Sequence, residues 1–352
     1  MSPTEDTALS SRHNRDDRSK RSERFDGLLV CDDGKGGRAV SVERLSADQL
    51  PEGDVTVQVE WSCLNYKDAL GITGSGPILR RLPMVPGVDF AGTVTQSASP
   101  EVAIGDRVIL NGWGVGETRW GGFAKLARVE GAWLTPCPAD MSPRAAMSLG
   151  TAGYTAMLCV QALRDCGLTP SGGPVLVTGA SGGVGSVAVL LLKALGHEVT
   201  AVTSRSTEKL YLLDELGADS VIGPDDINPG RRPFGKPLWS GVIDVCGGDI
   251  LTQACAATRY GGTVAACGLA AAAEFSSSVM PFILRGVGLL GIDSVMRPQE
   301  DRIRAWEELA LLLPQGLTGP MTREIGLHEL TCASEALLDR QLRGRTVVRL
   351  DA

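Results

Sequence analysis

Residues 176–196 read LVTGASGGVGSVAVLLLKALG, and this stretch decides the fold. Pro174–Thr178 (PVLVT) is continuously apolar and β-rich, the mark of a strand buried on both faces. Gly179, Gly182, Gly183 and Gly185 then form a loop, and Val184–Leu195 reads as an apolar helix with Gly196 in the C-cap position. A helix that starts directly after such a loop presents unpaired N–H groups and a partial positive charge, and glycines let the backbone approach a pyrophosphate. The spacing is G-x-x-G-x-x-G, with Ser181 where the usual dinucleotide fingerprint has its middle glycine. The strand–loop–helix setting, more than the bare pattern, carries the reading.

Working outward, His197–Thr203 reads as a strand, Glu208–Leu216 as a helix closed by Gly217, and Ser220–Ile222 as a strand. Gly241–Val245, Thr263–Cys267 and Val287–Ile292 are further strands, so the unit is a doubly wound parallel sheet of βαβ repeats. Upstream, from Phe25 to Leu149, the texture is short strands (Val55–Trp61, Val88–Thr95, Asp106–Leu110) and glycine turns, an all-β region with few helices. Downstream come an amphipathic helix, Glu300–Leu313, a short helix, Cys332–Leu338, and a strand, Arg345–Leu350, expected to return to the first domain. The expected organisation is α/β: a mixed-charge, disordered tail over 1–24, a β domain from 25–149 and 296–352, and a Rossmann domain over 150–295.

A net charge of −7 argues against nucleic acid as the main partner, and no apolar run is long enough to span a membrane. Nine cysteines stand singly, without C-x-x-C spacing, as reduced thiols of a cytoplasmic protein do. There are three histidines, none beside a Cys or Glu at zinc-ligand spacing, so no metal is expected. Polarisation of a substrate then falls to hydrogen-bond donors.

Cofactor choice is legible one strand after the glycine loop. NAD sites place an acid there for the ribose hydroxyls; here the strand runs into Ser204-Arg205, with no acid before Glu208. A guanidinium can grip a 2′-phosphate with charge-assisted bonds of roughly 1.5–3 kcal/mol, which points to NADPH. Gly179–Gly183 also reads as G-x-S-x-G, the elbow of a serine hydrolase, which would need His328 as its base. A short-chain dehydrogenase is excluded: Tyr66, Tyr154, Tyr211 and Tyr260 have Leu70, Leu158, Glu215 and Val264 four residues on, never lysine.

Several segments are shared with a known family: LNYKDALGITGSGPI (Leu64–Ile78), PGVDFAGTV (Pro86–Val94), LNGWGVGETRWGG (Leu110–Gly122), GTAGYTA (Gly150–Ala156), CGLA (Cys267–Ala270), MPFILRGV (Met280–Val287) and GIDSV (Gly291–Val295). With these the chain after Phe25 resembles the acrylyl-CoA reductase (NADPH) branch of the zinc-free quinone oxidoreductases, in the medium-chain dehydrogenase/reductase superfamily. The resemblance implies a GroES-like catalytic domain, an NADPH-binding Rossmann domain, a homodimer and an acyl-CoA substrate. It places Tyr66 at the nicotinamide, Ser181, Gly182, Gly183 and Val184 on the pyrophosphate, and Thr203, Ser204 and Arg205 on the 2′-phosphate ribose. Leu269 and Ser294 would line the cofactor from later strand ends, and Arg232 would lie on the adenine side. The implied reaction adds hydride to the β-carbon of acrylyl-CoA and a proton to the α-carbon. Asn65 and Tyr66 are the candidate donors to the thioester oxygen, Lys67 and Asp68 are expected to pair with each other, and Trp113 and Trp120 either wall the pocket or simply pack. A quinone reductase and a dinucleotide-binding protein without turnover remain open alternatives.

Overall fold

Strand Val175–Val177 lies at the centre of a six-stranded parallel sheet whose order is Ser220–Ile222, Val199–Val202, Val175–Val177, Trp239–Asp244, Thr258–Ala266, Gly288–Gly291. Numbered within the sheet this is 3-2-1-4-5-6, the dinucleotide-binding order, and the switch in winding direction falls at the first strand, beside the glycine loop. The computed structural model describes residues 23–350; the expected tail lies outside the described residues except for Glu23 and Arg24, and Arg24 already opens a strand, Arg24–Asp32.

The other large sheet has seven strands. Its path is Thr322–Ile325, Arg345–Arg349, Val55–Leu64, Asp89–Ser97, Arg107–Asn111 and Thr135–Pro136, and Leu126–Val129 also pairs with Val55–Leu64. As expected, the C-terminal strand returns: Thr346–Arg349 pairs antiparallel with Trp61–Leu64. A hairpin of Arg24–Asp32 and Arg38–Ser46 closes over this sheet through bonds from Leu28 N–H to the Phe123 carbonyl and Val30 N–H to the Met84 carbonyl, both 2.8 Å.

Two helical elements differ from expectation. The helix over 208–216 is a 3-10 turn, Ser206–Glu208, followed by a wider π-turn, Tyr211–Glu215, which carries a buried Tyr211 whose hydroxyl donates to Ser186 Oγ at 3.0 Å. The long helix Pro143–Asp165 has no counterpart in the sequence reading, which left that stretch partly in the β region. It is buried nearly all round, so it lacks the polar face that makes helices visible in a hydrophobic pattern. The helix breaks at Gly150 (φ 52°, ψ −154°), where a Cβ would collide with Cys63, Arg345 and Asp89. Its two halves join the cores of both sheets: Met147 and Leu149 pack in one cluster with Cys63 and Ile109 as well as with Val175 and Ile243.

Helix Gln299–Leu312 carries a second link. The fully buried Arg302 donates from Nη1 to the Asn111 carbonyl (2.6 Å), from Nη2 to that of Val295 (2.7 Å) and from Nε to that of Arg297 (2.9 Å). It also lies over the rings of Trp113 (4.6 Å) and Tyr154 (5.4 Å). Among the described residues no carboxylate bonds to it; backbone dipoles and ring faces hold the charge. Asn111 ends a strand of the seven-stranded sheet and Val295 follows the last parallel strand, so one guanidinium clasps the two sheets. Arg302→Met should lower stability by about 3 kcal/mol in a denaturant titration, because one buried and two partly buried carbonyls lose a charged donor.

Candidate active site

The glycine loop leaves the first parallel strand through Gly179, at φ +56°, whose carbonyl accepts from Gly182 N–H at 3.0 Å. The helix begins at Gly183, and Gly182, Gly183 and Val184 are half-buried, so their amides face an open edge while Ser181 is buried. A Cβ at Gly185 would run into the Gly179 carbonyl and Ala180, so this position fixes how closely the loop folds on the helix. Such a strand–loop–helix cradle, with first-turn N–H groups lacking intrahelical acceptors, fits a dinucleotide pyrophosphate.

At the end of the second strand, Arg205 N–H donates to Thr203 Oγ1 (3.1 Å), and Arg205 Nη2 donates to Ser181 Oγ (2.7 Å). Ser181, Thr203 and Arg205 are therefore one group, with Ser204 exposed beside them. Leu269, 66% exposed, and Ser294 follow the fifth and sixth strands, on the same C-terminal edge of the sheet. Arg232 is exposed, and its carbonyl accepts from Asn228 Nδ2 at 2.8 Å; no hydrogen bond or ion pair among the described residues joins its guanidinium to the Arg205 group. Ser181 Oγ faces a guanidinium, not an imidazole. His328 sits far along the chain in the turn Leu327–Glu329, so the hydrolase reading loses its base.

Tyr66 opens the short helix Tyr66–Thr73; it is 48% exposed, and its hydroxyl has no hydrogen-bond partner among the described residues. Asn65 corrects the expectation. Its Nδ2 donates to Asp89 (3.1 and 3.2 Å) and to the Cys63 carbonyl (3.4 Å), while its Oδ1 accepts from Arg345 Nη1 at 3.0 Å. The amide has no donor left for a substrate oxygen. Asp89 also accepts from Thr151 N–H at 2.6 Å and Cys63 Sγ at 3.0 Å, and Arg345 Nη2 reaches Cys63 Sγ at 2.7 Å. No local pattern announces this cluster: Asn65 and Arg345 are 280 residues apart in the chain.

Lys67 and Asp68 do not pair with each other. Lys67 Nζ meets Glu117 Oε1 at 2.9 Å, whereas Asp68 accepts from Asn65 N–H (2.9 Å) and Val88 N–H (3.0 Å). A lysine and an aspartate adjacent on a helix point in different directions, which separates them. Trp113 is held between Trp133, stacked at 6.2 Å, and Arg302, and Trp120 packs against both clusters of the β region, so packing accounts for both.

The family model described as "Alcohol dehydrogenase GroES-like domain" matches residues 51–139, and that described as "Zinc-binding dehydrogenase" matches 183–310. The probable acrylyl-CoA reductase AcuI of Escherichia coli K12 is 51% identical over 92% of this chain and 99% of its own. The acrylyl-CoA reductase AcuI of Ruegeria pomeroyi is 48% identical over 93% of this chain and all of its own. The chain belongs to the acrylyl-CoA reductase branch of the medium-chain dehydrogenases/reductases. A solved member, the yhdH oxidoreductase of Salmonella enterica in complex with NADP, superimposes with a TM-score of 0.89 at 48% identity, covering 93% of this chain and all of that one.

The superfamily includes zinc enzymes, but these residues do not fit a zinc ion. Tetrahedral zinc needs three or four converging donors, and among the described residues no group of three His, Cys, Asp or Glu side chains is placed to hold a metal. A cysteine ligand to zinc must be a thiolate, whereas burial pushes the Cys63 thiol well up, although the Arg345 guanidinium pulls the other way.

Asp68 lies in the first turn of the helix that Tyr66 opens. Burial, and then the neighbouring Asp89 charge, raise it from 3.8 to about 7 against the opposing amide bonds. A carboxyl that holds its proton more tightly when folded makes the folded state bind more protons, so its contribution to stability falls as pH rises from about 4 to 7. Asp68→Asn should therefore flatten the decline in unfolding free energy across that window, measured by denaturant titration at several pH values. An unchanged slope would show that Asp68 is already ionised there.

Proposed function

We propose that this reductase transfers hydride from NADPH to the β-carbon of acrylyl-CoA and releases propionyl-CoA. The observation that carries the reading is the group Ser181–Thr203–Arg205 at the glycine cradle, in a chain about half identical to acrylyl-CoA reductases over nearly its whole length. The NADP in the Salmonella enterica relative supports the same cofactor here. Residues 150–295 would form the NADPH-binding domain, and 25–149 with 296–352 the catalytic domain.

Bound NADPH would supply the hydride at nicotinamide C4. The amides of Gly182, Gly183 and Val184 would hold the pyrophosphate, Arg205 with Thr203 and Ser204 the 2′-phosphate ribose, and Leu269 and Ser294 the cofactor's flank along the strand ends. As the β-carbon is reduced, negative charge grows on the thioester oxygen. Tyr66, half-exposed at the start of its helix and with a hydroxyl that has no hydrogen-bond partner among the described residues, would donate to that oxygen or protonate the α-carbon. Asn65 is a positioning residue: it precedes the helix that starts at Tyr66, its backbone N–H donates to Asp68, and its side chain ties that helix start to Asp89 and Arg345. Removing the hydroxyl with Tyr66→Phe should lower kcat for acrylyl-CoA by about tenfold or more while leaving KM for NADPH nearly unchanged, followed by NADPH absorbance. Wild-type kcat in that variant would take Tyr66 out of the chemistry. Small quinones assayed alongside decide between this reading and a quinone reductase.

A homodimer is part of the proposal. Strand Gly288–Gly291 lies at an edge of the parallel sheet with Leu289 exposed, and the preceding helix Met280–Arg285 exposes Ile283 (73%) and Leu284 (56%). An uncovered apolar strand edge is a template for pairing. A charge placed there, Leu289→Lys, should convert a dimer to monomer in analytical ultracentrifugation; a wild-type monomer at micromolar concentration would refute the assembly. No helix among the described residues is long and apolar enough to span a membrane.

A further inference from the structure

Segment 340–344, just before the return strand, folds over the ribose end of the proposed cofactor site. Gly344 N–H donates to the Ser181 carbonyl at 3.1 Å, and Arg205 Nη1 donates to the carbonyls of Arg340 (2.6 Å) and Leu342 (3.4 Å). This segment carries Arg343, whose guanidinium lies over the Tyr211 ring at 4.8 Å with its side chain 43% exposed. Between the two arginines stands Glu208. Its carboxylate is 3.9 Å from Arg205 Nη1 and 3.8 Å from Arg343 Nη1, its side chain is only 13% exposed, and its Oε2 is buried without a hydrogen bond.

We infer that Arg343 is the second cation for the cofactor's 2′-phosphate, and that Glu208 is the internal counter-ion whose place beside the two guanidiniums the phosphate takes. A carboxylate without hydrogen bonds, held at ion-pair distance from two guanidiniums, occupies the kind of position a phosphate oxygen would satisfy better: it offers fewer acceptors and one charge where a phosphate brings up to two. In an acidic chain of net charge −7, two arginines converging on one largely covered carboxylate concentrate positive charge at one spot on the sheet's edge. Glu208 then acts with opposite sign on the two cofactors. It repels the 2′-phosphate of NADPH and can accept from the 2′-hydroxyl of NADH, so the net preference depends on both arginines. The inference rests on Arg205 marking the 2′-phosphate, and its test separates the two.

Binding of NADPH and of NADH is measured by nucleotide fluorescence on the full chain without acyl-CoA. Arg343→Gln should weaken NADPH about tenfold and leave NADH unchanged, and Arg343→Lys should recover most of the loss. Glu208→Gln should do the reverse, tightening NADPH severalfold and weakening NADH. Arg205→Ala, in parallel, should cost NADPH far more than NADH. A shift in the Arg205 variant with equal effects on both cofactors for Arg343→Gln overturns the role of Arg343 alone; an Arg205 variant with unaltered preference overturns both. If Arg343→Gln does not fold, Glu208→Gln decides, and unchanged NADPH binding there sinks the inference.

Discussion

The Asp89 carboxylate is the point on which the two halves of this molecule meet. It is wholly buried, and it collects the Thr151 amide, the Cys63 thiol and the Asn65 side-chain amide within hydrogen-bond distance. Each bond comes from a different place: a β-strand, the turn before Tyr66, and the first amide after the break in the long helix. A buried carboxylate is costly unless its acceptors are filled, so these donors cannot drift apart without a large penalty. Arg345 completes the balance of charge, bonding Asn65 and Cys63 and packing against Gly183 at the helix start of the cofactor cradle. The glycine loop and the Tyr66 helix are thus referenced to one polar cluster.

That arrangement explains two sequence features at once. Gly150 must lack a Cβ because the cluster occupies its space, and Asn65 must spend its amide internally, which leaves Tyr66 as the donor that faces outward. Arg302 repeats the principle on the other side of the cleft, with backbone carbonyls instead of a carboxylate as partners. Arg345, beside Gly150, and Arg302, over the Tyr154 ring, both sit against the middle of the long helix. Positive charge in this acidic chain is therefore used buried, to join the two sheets.

Much of the architecture was readable from residues alone because it depends on local chemistry. The continuous apolar run at Pro174–Thr178 reads as a strand buried on both faces, and a glycine loop entering a helix forms where the chain permits positive φ and close approach. The strand ending in Ser204-Arg205 without an acid announced its cofactor for the same reason. The helix Pro143–Asp165 escaped because a helix buried on all faces carries no periodic signal, and the mixed 3-10 and π turns near Tyr211 escaped because helix propensity does not distinguish turn widths.

The sequence by itself determined the doubly wound sheet, the cofactor cradle and the absence of metal-ligand spacing, since each follows from neighbours within a few residues. Only the tertiary structure decided which polar side chains are free. Asn65 and Tyr66 are adjacent and equally polar, yet one is consumed by partners 24 and 280 residues away while the other stays open. Likewise Arg343 gains its meaning from Glu208, on the opposite side of the chain's course. Hydrogen-bond satisfaction is a property of three-dimensional neighbours, and nothing local in the sequence records which of them arrive.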